Sequence, residues 1–546
     1  MSLHFDFQRL GALVRFAAPV ALAVSLVAAP VGATQGQPLT ATAYQQAVAE
    51  ALMDAPDGVS AFYRGRGFAP LWTGSGEVHQ ARRAALINAL RAAPMHGLPA
   101  ARYDLAGLEF ALSTARSARD RGAVELRMTL AYLEFAHDLQ SGILNPGQTV
   151  KAIKRGNPRR DTDTLLALVE DGDPRRLLHA LAPQSAEYTR LMHAKLSLED
   201  VVAKGGWGPR VPGGKLEPGD SGTRVVALRN RLVALGYLKT SASARFDTSL
   251  EKAVQAFQLD HGLEPDGVAG EATIAALNVD ATDRLQSVLV AMERERWLNK
   301  PEGKGARHVL VNLVDFHARI MDDGKETFVT RSVIGHRASD RQSPEFSDVM
   351  EHMVINPYWY VPRSIIVKEY LPKLRQNAGA HSYLQILDSR GNQVSRANDF
   401  SQFDARSFPF SMRQAPGPRN ALGTVKFMFP NKHNIYLHDT PHQSLFKRSV
   451  RTFSHGCIRL DDPHDFAYAL LAVQEDDPVG FFQRILKSGA NTRVELDQHI
   501  PVHLIYRTAF TQAKGRVQFR GDAYGRDAAI WRALAAAGVA LPGAQG

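Results

Sequence analysis

Over residues 39–198 apolar residues recur at three- and four-residue spacing, as in Val124, Leu126, Leu130 and Leu133 or Leu165, Leu166, Leu168 and Val169. That period stacks them on one helix face, so the pattern predicts an all-helical region over 34–201. Residues 202–215 are rich in breakers, with Gly205-Gly206-Trp207-Gly208-Pro209 and Pro212-Gly213-Gly214, and predict a linker. Three short helices are expected over 216–280. The first carries Val225, Leu228, Leu232 and Leu235 and stops at Gly236, the second carries Leu250, Val254 and Phe257, and the third carries Ile274 and Leu277. A charged connecting helix over 281–302 follows. The pattern then turns strand-like, with segments 308–321 and 502–510 rich in Val, Ile, Leu and aromatics and turns at Asp322-Asp323-Gly324 and Lys514-Gly515. A β-rich domain over 303–510 is expected, as a mixed sheet or sandwich, with a C-terminal extension over 511–546. Its residues 362–410, including Ile365, Ile366, Glu369, Tyr370 and Leu371, break the strand pattern and predict an inserted helical cap that serves as a lid. The fold class is multidomain α+β.

Composition narrows the class. At 546 residues the chain exceeds one ordinary core, and its 45% apolar and 22% charged residues suit a folded, soluble protein. The net charge of +10 is spread along the chain, with no nucleic-acid motif; a basic surface would suit any anionic polymer, so charge narrows the field only a little. No nucleic-acid partner and no cofactor are expected. Arg9 and Arg15 precede an apolar stretch over 16–29, followed by Pro30 and Val31-Gly32-Ala33. These features predict an export signal over 1–33 cleaved near Ala33, hence a periplasmic protein with no stable membrane span afterwards. A retained anchor is the alternative, although the stretch is shorter than the ~20 residues that cross a bilayer.

Export makes the single cysteine informative. Cys457 has no partner in the chain for an internal disulfide, so it is either buried and inert or chemically used. It lies in Phe453-Ser454-His455-Gly456-Cys457-Ile458-Arg459-Leu460. A thiol with an ordinary pKa of ~8.5 needs a base or a positive field to act at neutral pH. Gly456 permits a sharp turn that brings backbone N–H groups to a reacting carbonyl, and Arg459 offers a planar cation for a carboxylate. Upstream, the strand-like Ile435-Tyr436-Leu437 delivers His438 to the turn Asp439-Thr440-Pro441. The histidine spacings fit no standard zinc pattern, so no metal is expected, and His433, His442 and His464 read as surface residues.

A histidine followed some fifteen residues later by Ser-His-Gly-Cys resembles the signature of the L,D-transpeptidases. Ile355-Asn356-Pro357-Tyr358-Trp359, 416–423, Phe429-Pro430-Asn431 and Tyr524-Gly525-Arg526-Asp527 resemble its large periplasmic branch. The 216–280 module, through Gly219-Asp220-Ser221-Gly222, Leu235-Gly236-Tyr237-Leu238 and Asp266-Gly267-Val268-Ala269-Gly270, resembles a peptidoglycan-binding domain. The resemblance implies that Cys457 attacks the carbonyl of the third stem residue, D-alanine leaves, and an amine of a second stem resolves the thioester. His438 would be the base; His455, Gly456 and the Asp439 carbonyl would supply oxyanion and orienting contacts. Ser454, Arg459 and Tyr436 would shape the donor pocket. Stem peptides and glycan strands would be the partners. A non-catalytic wall-binding protein and a hydrolase using the same Cys–His pair stay open, as do the acceptor and the oligomeric state.

Overall fold

The computed structural model describes residues 41–512 and 515–542, apart from the Leu178 side chain. The predicted export signal lies outside them. Among the described residues no helix is long and apolar enough to cross a membrane.

Helices from Ala43–Ala51 to Leu177–Leu181 build the N-terminal region around a core holding Tyr63, Trp72, Leu86, Tyr132 and Phe135, while helix Ala186–Ala203 packs through Tyr188, Leu191 and Leu198 with Leu285 and Val288 of helix Ala281–Arg296. The long helix Ala118–Ser141 opens with a reciprocal Ser117–Asp120 capping box, which satisfies two backbone donors at its free end. One carboxylate in this region is wholly buried. Glu125 accepts the backbone N–H groups of Leu71, Trp72 and Thr73 and the Tyr63 hydroxyl, so it shapes a loop. The next module has the three expected helices, Thr223–Ala234, Thr248–Asp260 and Glu271–Leu277, around Val225, Leu228, Leu250, Val254 and Phe257.

Helix Ala281–Arg296 runs into the middle of the molecule, and its last turn is buried all round. The β-rich domain follows. Its strands are β1 (Arg307–Asn312), β2 (His317–Asp322), β3 (Lys325–Gly335) and β4 (Phe346–Ile355), then β5 (Trp359–Tyr360), β6 (Leu384–Leu387) and β7 (Ser411–Gln414) in the insertion. After the insertion come β8 (Val425–Met428), β9 (Leu437–His438), β10 (Thr452–Ser454), β11 (Ile458–Leu460) and β12 (Thr492–Ile505). The order β3-β11-β9-β8-β4-β12-β1-β2, with β2 also paired to β3, closes eight strands into a ring, and β10 joins the end of β3. Closure removes exposed sheet edges. The pairing is mixed: β1 with β12 and β11 with β9 are parallel, while β4 with β8 and β12 is antiparallel. The interior is filled by residues such as Val309, Val311, Phe427, Leu437, Ile458 and Leu504.

The insertion is wider than 362–410, since β5 and β7 flank that span, and it is mixed rather than purely helical. It has short helical turns over 363–376, as predicted, and also the sheet β5-β7-β6. These enclose a separate core of Trp359, Ile366, Leu371, Ile386, Phe400, Phe408 and Met412. Two strands of four residues and one of two are too short to show a strand period. The C-terminal helix Arg526–Ala536 buries Ile530 and Leu534 in the same cluster as Leu285 and Val288 of the central helix.

Candidate active site

Strand register builds the site. β9 and β11 run parallel with Leu437 opposite Ile458 and His438 opposite Arg459, and β8 pairs Lys426 with His438. Leu437, Ile458, Leu460, Val425 and Phe427 point into the barrel core. Side chains alternate along a strand, so Tyr436, His438, Cys457, Arg459 and Lys426 share the opposite face. The turn before Cys457 depends on Gly456, whose φ of +121° lies where a side chain is strained.

Each polar group has a definite role. His438 is buried, and its Nδ1 donates to the Asp439 carbonyl at 2.5 Å, which fixes the tautomer and leaves Nε2 free to take a proton. The Asp439 carboxylate accepts Thr424 N–H and Thr424 hydroxyl, both at 2.8 Å, pinning the strand end. Gly423 is required there: a Cβ would lie 2.2 Å from that carboxylate, and its φ is +61°. His464 is half-buried and bonded to Thr424, so it is not the surface histidine its sequence suggests.

Cys457 Sγ faces the Tyr436 hydroxyl and lies 3.5 Å from the Asn434 carbonyl, and no direct hydrogen bond joins it to His438. Burial pushes the thiol up to about 11, against the pull of Arg459 and Lys426. Burial, then the Arg459 charge, hold His438 down at about 3. The pair therefore rests as neutral thiol and neutral imidazole.

Ser454 differs from its expected place in a pocket wall. It is buried; its hydroxyl donates to the Cys457 carbonyl at 2.6 Å and accepts Gly456 N–H at 3.0 Å, so it ties the turn together. Gly456 N–H is thereby occupied. The Cys457 N–H has no partner among the described residues. His455 reaches the cap instead, with Nε2 2.8 Å from Glu369 Oε1, where Arg341 also pairs at 2.9 Å. A cleft of about 870 Å³ opens beside this face, lined by Trp359, Tyr370 and Tyr383 of the cap, segment 414–421, His455 and Arg459. Arg459 Nε has no hydrogen-bond partner.

Sequence reading missed the support behind the turn. The Ser343 hydroxyl donates to the Gly456 carbonyl at 2.6 Å and accepts Gly335 N–H at 2.9 Å. Arg526 donates to the Ser343 carbonyl at 2.7 Å and pairs with Glu345 at 3.0 Å; Glu345 pairs with Arg294 of the central helix at 2.6 Å. The one available hint was Tyr524-Gly525-Arg526-Asp527, which had no chemistry attached. Among the described residues no group of three His, Cys, Asp or Glu side chains is placed to hold a metal.

Comparison with known proteins matches three segments of the chain to family profiles. Residues 57–194 match a scaffold domain, 221–277 a "Putative peptidoglycan binding domain" and 306–481 the L,D-transpeptidase catalytic domain, YkuD. A curated Haemophilus influenzae protein named "Putative L,D-transpeptidase" is 32% identical over 230 residues, covering 41% of this chain and 45% of the relative. The match thus spans less than half of that relative's length. Solved L,D-transpeptidases from Xylanimonas cellulosilytica and Stackebrandtia nassauensis are 16% and 14% identical. They cover 54% and 55% of this chain and 98% and 97% of their own, with TM-scores of 0.17 and 0.21, too low to bear on the fold. Residues 306–481 thus carry a YkuD domain, the L,D-transpeptidase catalytic domain.

Proposed function

We propose that this chain is an exported peptidoglycan L,D-transpeptidase with Cys457 as nucleophile and His438 as its base. The observation that carries the reading is the register of β9 against β11, which sets Cys457, His438, Tyr436 and Arg459 on one face beside the cleft. As Sγ attacks the carbonyl of the third residue of a tetrapeptide stem, its proton passes to His438 Nε2. A neutral imidazole fixed through Nδ1 is the form that can accept it. The Cys457 N–H receives the developing oxyanion. His438 returns the proton to the departing D-alanine amine, leaving a thioester. An amine of a second stem then attacks, restores the thiol and forms the cross-link. Arg459, with its free Nε, holds the donor carboxylate, and the Tyr436 hydroxyl orients Sγ. Both reacting groups rest uncharged, so transfer begins only when bound substrate brings Nε2 and Sγ together.

The test is incubation of the chain lacking residues 1–33 with disaccharide-tetrapeptides, read by mass spectrometry. Dimers with loss of D-alanine are expected, reduced by at least about a hundredfold in His438→Ala and absent in Cys457→Ala. D-alanine release without dimers would assign a carboxypeptidase instead. Turnover surviving in Cys457→Ala would end the reading.

A further inference from the structure

A second, large cleft lies away from the thiol. A cleft of about 1130 Å³ separates the three-helix module from the barrel, walled by the module's loop 259–265, the β1–β2 turn and start of β2, segment 446–451 and residues 518–523. Its walls are firmly joined. Arg520 bonds the Asp260 carbonyl of the module at 2.9 Å and the Asp315 carboxylate of the barrel at 2.7 Å. The His261 ring stacks 3.8 Å from that of Phe257 and 5.8 Å from that of Phe519. Arg516 bonds the Gly236 carbonyl and lies 4.4 Å over the Tyr237 ring.

The charges in this cleft do not cancel. Arg319 and Arg520 share Asp315, and Arg331 pairs with Asp461. Among the described residues no carboxylate lies within ion-pair distance of Arg337, Lys447 or Arg448, all exposed in or at the rim of the cleft. Of the lining acids, Asp260 accepts the Tyr237 hydroxyl, Asp522 accepts the Tyr506 hydroxyl, and Glu264 alone is exposed without a cation. A tyrosine hydroxyl leaves a carboxylate charged, so Asp260 and Asp522 count with Glu264 and Asp315; even so the lining holds seven arginines and lysines against four carboxylates, with Asp461 a fifth behind Arg331, in a concave site where low-dielectric walls concentrate the field.

One wall of the cleft is continuous in sequence with the catalytic turn. Lys447 and Arg448 begin the segment that continues through exposed Val450 and Phe453 to the Ser454–Cys457 turn. Arg337 sits on the loop whose far side, through Asp340 and Arg341, holds the cap residues Lys368 and Glu369.

We propose that this cleft is a second substrate site, which holds a carboxylate-bearing peptidoglycan strand between the three-helix module and the catalytic turn. The proposal rests on the peptidoglycan reading above for the ligand's identity. Arg337, Lys447 and Arg448 engage stem-peptide carboxylates.

The test is cosedimentation of the full chain with purified peptidoglycan sacculi, in a Cys457→Ala background. Binding is then read whether or not the wild type transpeptidates, so failure of either reading is seen separately. Neutralising the cluster (Arg337→Gln, Lys447→Gln, Arg448→Gln together) should weaken binding about tenfold at low salt and flatten its salt dependence. The charge-keeping set Arg337→Lys, Lys447→Arg, Arg448→Lys should bind like the parent, and circular dichroism should show all variants folded. Sacculi whose carboxyls are amidated should bind the parent as weakly as native sacculi bind the neutral variant. Equal binding by parent and neutral variant overturns the site. Competition by inorganic polyphosphate with no effect of amidation would make it a phosphate site and overturn the carboxylate assignment.

Discussion

The barrel meets the rest of the molecule in two ways that differ in kind. Toward the central helix and the C-terminal helix the contact is a buried charge network. Arg294 pairs with Glu345 and with Asp527 (2.8 Å), Arg526 pairs with Glu345, and Arg507 pairs with Glu295, all with little exposure. Toward the cap the polar contacts are exposed pairs, Lys368–Asp340 and Glu369 with His455 and Arg341. The buried side braces the turn that carries Cys457; the exposed side fastens a separately cored lobe over it. Water can replace a partner in the second kind of contact and cannot in the first, so one side is fixed and the other can open.

The largest effect should come from Arg294→Met. Removing the guanidinium leaves Glu345 and Asp527 buried without their counter-charge, and the loss should be about 3–5 kcal/mol in urea or thermal unfolding. A loss under about 1 kcal/mol would put the two contacts in one class.

Acid should loosen the same buried side. His503 lies on β12, His96 against Tyr188 and His261 in the three-helix module; they are held at about 3, 4 and 3, first by burial and then by neighbouring cations or, for His503, against a carbonyl contact. Their folded values lie below the ordinary 6.5, so the unfolded chain binds more protons and stability falls as pH drops from 6.5 toward 3–4. At pH 5 the buried His503 should have lost about 2 kcal/mol of its contribution, and the partly exposed His96 and His261 less. His503, bonded to Ser347 and to the Lys304 carbonyl, both at 2.8 Å, gives the check. In His503→Asn the difference in unfolding free energy between pH 7 and pH 5 should shrink by about that amount.

Ser343 links this network to the chemistry. Ser343→Ala leaves the Gly456 carbonyl without its donor, at a stability loss of about 1–2 kcal/mol. The same peptide unit carries the unpartnered Cys457 N–H, so kcat should fall about tenfold as the oxyanion donor loses its aim. KM should change less than about twofold, because ground-state binding does not use that N–H. Equal changes in both would make Ser343 a purely structural residue.

Sequence legibility followed the same division. Cys457 and His438 stood out because their neighbours are chemically unusual: a thiol with no disulfide partner beside a glycine turn, and a histidine at a strand end. The helices were readable because their period is local. Ring closure was not, since the contact of β3 with β11 joins residues 332–333 to 459–460, and β9 has only two residues. The pairing of Arg294, Glu345 and Arg526 was not legible, because nothing in a sequence says that residues 181 positions apart neutralise one another in a buried site. Ser454 was placed in the pocket wall because its hydroxyl has suitable chemistry; only the turn geometry shows both of its hydrogen bonds used locally.

The smallest stability effect should come from Glu369→Gln, and there the contrast between the two contacts is sharpest. The carboxylate bonds His455 at 2.8 Å and Arg341 at 2.9 Å, but all three side chains are about one-third exposed, at 31%, 35% and 36%. Solvent screening holds such pairs to about 1 kcal/mol or less, so the unfolding midpoint should barely move. The cap keeps its own core of Trp359, Ile366, Phe400 and Phe408 and stays folded when the pair is lost. What changes is the docking of residues 366–370, a π-helical turn of the kind that often marks functional sites, against the catalytic loop. Backbone amides around 363–376 should exchange hydrogen faster, and Cys457 should be alkylated a few-fold faster at fixed pH as the cap opens more often. With unchanged exchange and alkylation, the pair would contribute nothing to closure and the cap would be held by its apolar contacts alone. A stability loss near that of Arg294→Met would instead show that the cap and the central helix belong to one cooperative unit, with no part of the site free to open by itself.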